Sequence, residues 1–310
     1  MREMLMKKAA RMRGIMLGGR GRPGLLYKIG VTYLLICTGF VFLYPIVYMI
    51  SSSLMDVSDL VDPTVVMIPR KLYLENYVRA FNVLNFFPVL LKTLYKAAIP
   101  AVLQAVTCGL TGLALAKYRV PFKGAIIGII LITFVTPVSV IMIPQYIMFT
   151  EMGLTGGILP FVLPALTAGG FNSSLFCLIY WQYFKSIPDS YLEAAELDGA
   201  GVIRVFFNII LPLAVPAIVT VFLFALVWGW NESYVTTLYM QDVNATLPRA
   251  LSNFVTSYRM MYASGGSGNE INESIRMAGT MLVIAPLLLL YAFAQKFFVE
   301  VIDRAGITGE

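Results

Sequence analysis

Apolar residues in this chain come in long unbroken runs, not in strand-like alternation or in one stripe per helical turn. Charge-free stretches occupy residues 29–55, 97–116, 124–150, 152–184, 205–231 and 277–295. A helix that crosses a bilayer needs about 20 mostly apolar residues, because each adds about 1.5 Å of rise against about 30 Å of hydrocarbon. The fourth run is longer than one helix requires. Pro160, Pro164 and Gly169-Gly170 interrupt it, so it reads as a short outer segment leading into a helix from Phe161. Backbone groups in hydrocarbon find no water partner, which makes each span helical. A hydrophobic soluble bundle would show polar faces at a period of 3.6, whereas these runs are apolar all round. The pattern predicts an all-α polytopic membrane protein. Its six spans fall at 29–52, 91–117, 124–148, 161–184, 209–232 and 277–298 within a membrane domain over 29–299. A basic segment (1–28) precedes them, a loop over 185–208 joins the fourth and fifth, and a tail (300–310) follows.

Composition agrees and removes several chemistries. Of 310 residues, 58% are hydrophobic and 13% charged, against about 25% charged in a soluble domain. The mean hydropathy is +0.78. Histidine is absent, which excludes a Ser-His-Asp triad, a His-paired cysteine nucleophile and a His metal site. Cys37, Cys108 and Cys177 lie inside apolar runs with no CxxC pair and read as small buried hydrophobes. No catalytic residue, resident metal or bound cofactor is expected. No GxxxxGK[ST] phosphate loop occurs, so the chain has no such means of using ATP itself.

The net charge of +6 points by its distribution to a membrane surface and not to nucleic acid. The first 28 residues carry Arg2, Lys7, Lys8, Arg11, Arg13, Arg20, Arg22 and Lys28 against Glu3 alone. Lys117, Arg119 and Lys123 follow the second span without an acid. Lys and Arg mark cytoplasmic loops, and six crossings then put both termini in the cytoplasm. The basic tract lacks the continuous apolar core of a signal peptide. It suits anionic lipid, at about 1 kcal/mol per basic residue near the surface.

The loop between spans four and five is unusual for a cytoplasmic face, with Asp189, Glu193, Glu196 and Asp198 close together. Pro188 suits a first turn, and Ser190 with Glu193 fits a capping box. Asp198-Gly199 is a stop signal, and a second short helix is expected over 202–208. The loop is either an amphipathic connector covering the bundle or a docking knob. In the second case Ala194, Ala195 and Gly199 would let another backbone approach closely, and the carboxylates would meet basic groups.

Glu193-Ala194-Ala195, Asp198-Gly199, Ile210-Leu211-Pro212 and Pro216 resemble the EAA signature of permease subunits of ATP-binding-cassette importers. Pro69 with Asn76-Tyr77, Ala116-Lys117-Tyr118, Ile143-Pro144-Gln145-Tyr146 and Trp230-Asn231-Glu232 resemble the carbohydrate, maltose-type branch. The tail from Phe298 resembles the family's glycine-rich ending only loosely. The resemblance implies a type I importer permease fold in a bacterial or archaeal cytoplasmic membrane. It further implies a heterodimer with a second permease, two ATPase subunits that bind ATP and Mg, and an extracytoplasmic binding protein that delivers a sugar. Glu193, Ala194, Ala195, Asp198, Gly199 and Gly201 would form the coupling helix seated in the ATPase.

Polar side chains within spans are costly and usually face a cavity or a partner. Gln104, Gln145, Asn172, Ser173, Asn231 and Glu232 are the candidate pathway residues, although for any one of them a helix–helix hydrogen bond is the more ordinary explanation. Tyr258, Arg259, Gly265 and Gly266 in the last outer loop are either a flexible linker or, by the resemblance, a contact for the binding protein. The alternative reading is a self-contained secondary transporter or channel for a small polar solute. Ion coupling there usually wants an acid within a span, and Glu232 is the candidate.

Overall fold

The computed structural model describes residues 18–19, 22–242, 246–262 and 270–307. Among them regular structure is helical, apart from a two-residue antiparallel pairing of β1 (Gly18–Gly19) with β2 (Arg22–Pro23). The chain divides into two units, residues 1–76 with 272–281, and residues 77–271 with 282–310.

In the first unit, α1 (Leu25–Ser53) exposes apolar side chains such as Leu35, Phe40 and Phe42, as a lipid-facing helix does. The loop after it is tied by short polar contacts. Asp56 caps α2 (Val57–Val61) by accepting from the Val57 amide at 2.7 Å. Asp62 accepts from the Thr64 hydroxyl and amide and pairs with Arg70, which together hold its carboxyl below the usual range. Asn76, in the first turn of α3 (Glu75–Val83), is buried and donates to the Ser53 and Met55 carbonyls at 3.0 and 2.9 Å.

The second unit is built around α4 (Phe86–Lys117), which packs against α7 (Leu159–Leu166), α8 (Ser173–Ser186) and α11 (Leu211–Asn231). Contact between α4 and α8 is backbone to backbone. A Cβ on Gly112 would lie 2.4 Å from Tyr180 Cβ and 2.8 Å from the Trp181 amide nitrogen. Small residues permit such approach where packing, not water, drives association.

The third apolar run is not straight. It forms α5 (Lys123–Val135) and α6 (Val138–Glu151), bent by 98°. Pro137 explains the break, since the residue before a proline is pushed out of helical geometry, and Thr136 has ψ 122°. The run expected as one span over 161–184 is likewise two helices, α7 and α8. Their break holds Ala168 and Asn172 in the left-handed region. The described residues therefore contain four helices long and apolar enough to cross a bilayer, or five with the bent pair as one, against the six expected.

The loop after α8 forms α9 (Ser190–Leu197) and α10 (Val202–Val205). A π turn over Phe206–Ile210 then runs directly into α11. The second short helix is thus continuous with the fifth span. Pro212 has no amide to offer the carbonyl one turn back, and the widened turn sits just before it. Beyond α11 come α12 (Tyr234–Met240), α13 (Leu247–Ser252) and α14 (Phe254–Tyr262). The last helix, α15 (Glu273–Ile307), begins in the first unit and runs on past 299, so no break separates the sixth span from the tail.

Candidate functional site: a surface knob and two cavities at a helix break

The α9–α10 loop is a built structure. Lys117, at the end of α4, donates to the Ile187 carbonyl and pairs with the Asp189 carboxylate at 2.6 Å. Asp189, not Ser190, precedes the first helical residue; its carbonyl accepts from the Leu192 and Glu193 amides. Ser190 is therefore the first helical residue and not the cap that the expected Ser190–Glu193 capping box requires. At the far end, Gly199 has φ +74° and the Ala200 amide donates to the Ala195 carbonyl at 3.0 Å. That is the Schellman closure, in which a left-handed glycine lets the chain turn back on the helix end.

The loop's orientation sorts the residues singled out from sequence. Glu193, Ala194, Asp198, Gly199 and Gly201 are exposed, whereas Ala195 is buried and faces its own chain. Ala195 therefore offers no surface for a partner's backbone to approach. A Cβ on Gly199 or Gly201 would meet nothing within 4 Å. Sequence reasoning missed the apolar crown. Leu197 is 89% exposed and Ile203 76%, with Tyr191 and Phe207 also exposed. Gly199, Gly201, Ile203, Arg204 and Phe207 line a shallow open depression. Apolar residues left uncovered on a polar loop mark a contact surface, and the signal was readable in their isolation among acids and glycines.

A second polar cluster lies where α7 and α8 separate. Gln104 on α4 donates to the Phe171 carbonyl at 2.7 Å and to Ser173 Oγ at 2.9 Å, and Thr107 donates to the Ala165 carbonyl at 2.8 Å. These bonds satisfy backbone that the broken helix leaves open, as irregular backbone at membrane depth requires. Two cavities flank the break. One, about 530 Å³, is lined among others by Thr136, Gln145, Asn172, Ser173 and Tyr239. The other, about 250 Å³, is lined among others by Lys96, Gln104, Phe161, Asn172, Trp228 and Glu232. Five of the six pathway candidates thus reach a cavity; Asn231, the last residue of α11, is exposed outside both. Tyr239 donates to Gln145 Oε1 at 3.3 Å.

Glu232 is not a free acid. Its two carboxylate oxygens accept from the Val235 and Thr236 amides at 2.9 Å each, capping α12. Lys96 was missed because it stands one residue before the charge-free run. It is 2% exposed, and its ammonium donates to the Gly229 and Glu232 carbonyls at 2.7 and 3.2 Å. Of the outer-loop candidates, Tyr258 is buried and hydrogen-bonded by Arg79 at 3.5 Å, Arg259 is exposed, and Gly265 and Gly266 lie outside the described residues.

Comparison with known proteins adds an independent line. Residues 108–305 match the family model of the binding-protein-dependent transport system inner membrane component. The polygalacturonan/rhamnogalacturonan transport system permease protein YtcP of Bacillus subtilis is 27% identical over 282 residues, 89% of this chain and 94% of that one. The probable starch degradation products transport system permease protein AmyC of Thermoanaerobacterium thermosulfurigenes is 29% identical over 77% of this chain and 82% of its own length. Arabinooligosaccharides permease protein AraQ of Bacillus subtilis is 25% identical over 92% and 97%. A chain from the crystal structure of a bacterial ABC transporter involved in import of the acidic polysaccharide alginate superposes with a TM-score of 0.74. It is 22% identical and covers 88% of this chain and 96% of that one.

Proposed function

Because the chain belongs to the family of binding-protein-dependent transport system inner membrane components, we propose that it is the saccharide-conducting permease of an ATP-driven importer, working as one of two permeases above two ATPase subunits. A binding protein outside the cell delivers the sugar. ATP and Mg sit on the ATPase chains, since this sequence has no phosphate loop. Saccharides are the named cargo of the relatives described above, which supports a sugar or oligosaccharide here. The membrane is the bacterial or archaeal cytoplasmic membrane, with Lys117 and the α9–α10 knob on its inner side, both termini inside, and Arg259 on the outer side.

The observation that carries this reading is the knob itself. It exposes Leu197 and Ile203 beside Glu193 and Asp198, is clamped to α4 through Lys117, and continues as helix into α11. A partner that pushes on it moves the helices lining both cavities. Glu232 has a structural role as the cap of α12, which accounts for the acid near the end of the fifth span and weighs against a self-contained secondary transporter. The test is co-purification followed by reconstitution with a panel of mono- and oligosaccharides. Ligand-stimulated ATP hydrolysis with matching uptake is expected. Uptake that persists without nucleotide, or failure of any ATPase chain to co-purify, would overturn the reading.

A further inference from the structure

We propose that the 250 Å³ cavity beside Lys96 is a subsite for a carboxylate-bearing sugar unit, with the Lys96 ammonium as the group that distinguishes acidic from neutral saccharides. The inference rests on the importer reading above and narrows its substrate class.

Lys96 is 2% exposed on a helix that crosses the membrane, where an ionisable group is costly and is usually kept for a function. Among the described residues no carboxylate forms an ion pair with it. The Glu232 carboxylate is instead held at the start of α12 by the Val235 and Thr236 amides. The ammonium has three N–H donors, and two go to the Gly229 and Glu232 carbonyls. Its charge also rests 5.0 Å from the centre of the Phe161 ring. Fastening α4 to α11 explains the two carbonyl bonds, and a neutral amide could make similar ones. Both acceptors lie at the C-terminus of α11, where the helix dipole favours a cation, and one N–H of the ammonium is left without a hydrogen-bond acceptor among the described residues on the side that borders the cavity.

The walls suit one sugar ring. Trp228, stacked on Phe176 and Phe224, and Phe161 border the cavity on its aromatic side. Gln104 and Asn172 contribute amides on its polar side. Lys96 lies 21 residues before Lys117 on α4, about 31 Å along the helix at about 1.5 Å per residue. The cavity is therefore at the end of α4 remote from the knob, where a saccharide handed over from outside arrives first. A charged donor favours a carboxylate over a hydroxyl by a charge-assisted bond.

The test uses the assembled complex in proteoliposomes with its own binding protein. The probes are oligogalacturonates and oligoalginates against their neutral methyl esters. The wild type should take up the acidic forms in preference. Lys96→Gln should lower the acidic-to-neutral uptake ratio roughly tenfold, the worth of one charge-assisted bond, and Lys96→Arg should keep it. Asn172→Asp, which places a negative charge at the cavity without removing a Lys96 contact, should lower the same ratio and decides the matter if Lys96→Gln does not assemble. A wild type that prefers neutral sugars overturns the subsite while leaving the importer reading intact. An equal fall in both classes, or none, also overturns it and leaves Lys96 as a helix fastener. Absence of ATP-dependent uptake with any sugar overturns both.

Discussion

Lys117 ties the surface knob to α4 by side-chain contacts alone, and its removal has a calculable consequence. Its side chain is 7% exposed while that of Asp189 is 73% exposed. The Lys117–Asp189 pair is consequently screened by solvent and contributes about 0.2–1 kcal/mol. The bond from the same ammonium to the Ile187 carbonyl is more sheltered, and a hydrogen bond from a charged group is worth about 1.5–3 kcal/mol. Lys117→Met should then loosen the knob by about 2 kcal/mol, roughly thirtyfold in the balance of held and released loop. Asp189→Asn should cost less than about 1 kcal/mol. In reconstituted vesicles, Lys117→Met is expected to lower sugar transported per ATP hydrolysed several-fold while ATP hydrolysis continues, and Asp189→Asn to stay near wild type. Equal damage from the two variants, or normal coupling in Lys117→Met, would show that the clamp is not the route of transmission.

Three further outcomes follow from particular contacts. Gly112→Ala should lower the midpoint of thermal denaturation in detergent, because its Cβ meets backbone at 2.8–3.0 Å and overpacking of this kind costs about 1–3 kcal/mol or more; an unchanged midpoint refutes the close α4–α8 contact. Gly199→Trp should abolish uptake without preventing membrane insertion, while Gly199→Ala should cost only the roughly 1–2 kcal/mol of left-handed backbone strain and leave uptake largely intact. If both variants transport normally, the open space around Gly199 is not filled by a partner. Asn76→Ala should speed tryptic cleavage after Arg70, since the Ser53 and Met55 carbonyls lose their shared donor, at about 1–3 kcal/mol; unchanged cleavage kinetics would show that Asn76 does not hold that loop.

Local features of the sequence carried a good deal of this. Asp198-Gly199 announced a helix stop, and the turn there closes as a glycine-terminated helix should. The break at Pro137 was also legible in principle, since a proline at the centre of an apolar run biases its neighbour away from the helix. Ala195 shows the limit. Its place in the EAA signature does not reveal which side of α9 meets the bundle, and one position of rotation separates it from the exposed Ala194. Gln104 shows another. As a polar residue in a span it was a pathway candidate, yet much of its hydrogen bonding goes to a broken helix 67 and 69 residues away.

By itself the sequence determined that the chain spans a membrane as helices, that it holds no phosphate loop, and that a helix–glycine turn lies between the fourth and fifth apolar runs. Those properties depend on apolar run length, residue type and short-range backbone preference, all of which are local. The tertiary structure decided which polar residues serve the chain's own backbone and which border empty space. It also placed Lys96 and Trp228 around one cavity, and Lys117 against the knob. Such relations depend on the separation and rotation of packed helices, which contacts like that of Gly112 with Tyr180 set, and no pattern along a single strand of sequence encodes them directly.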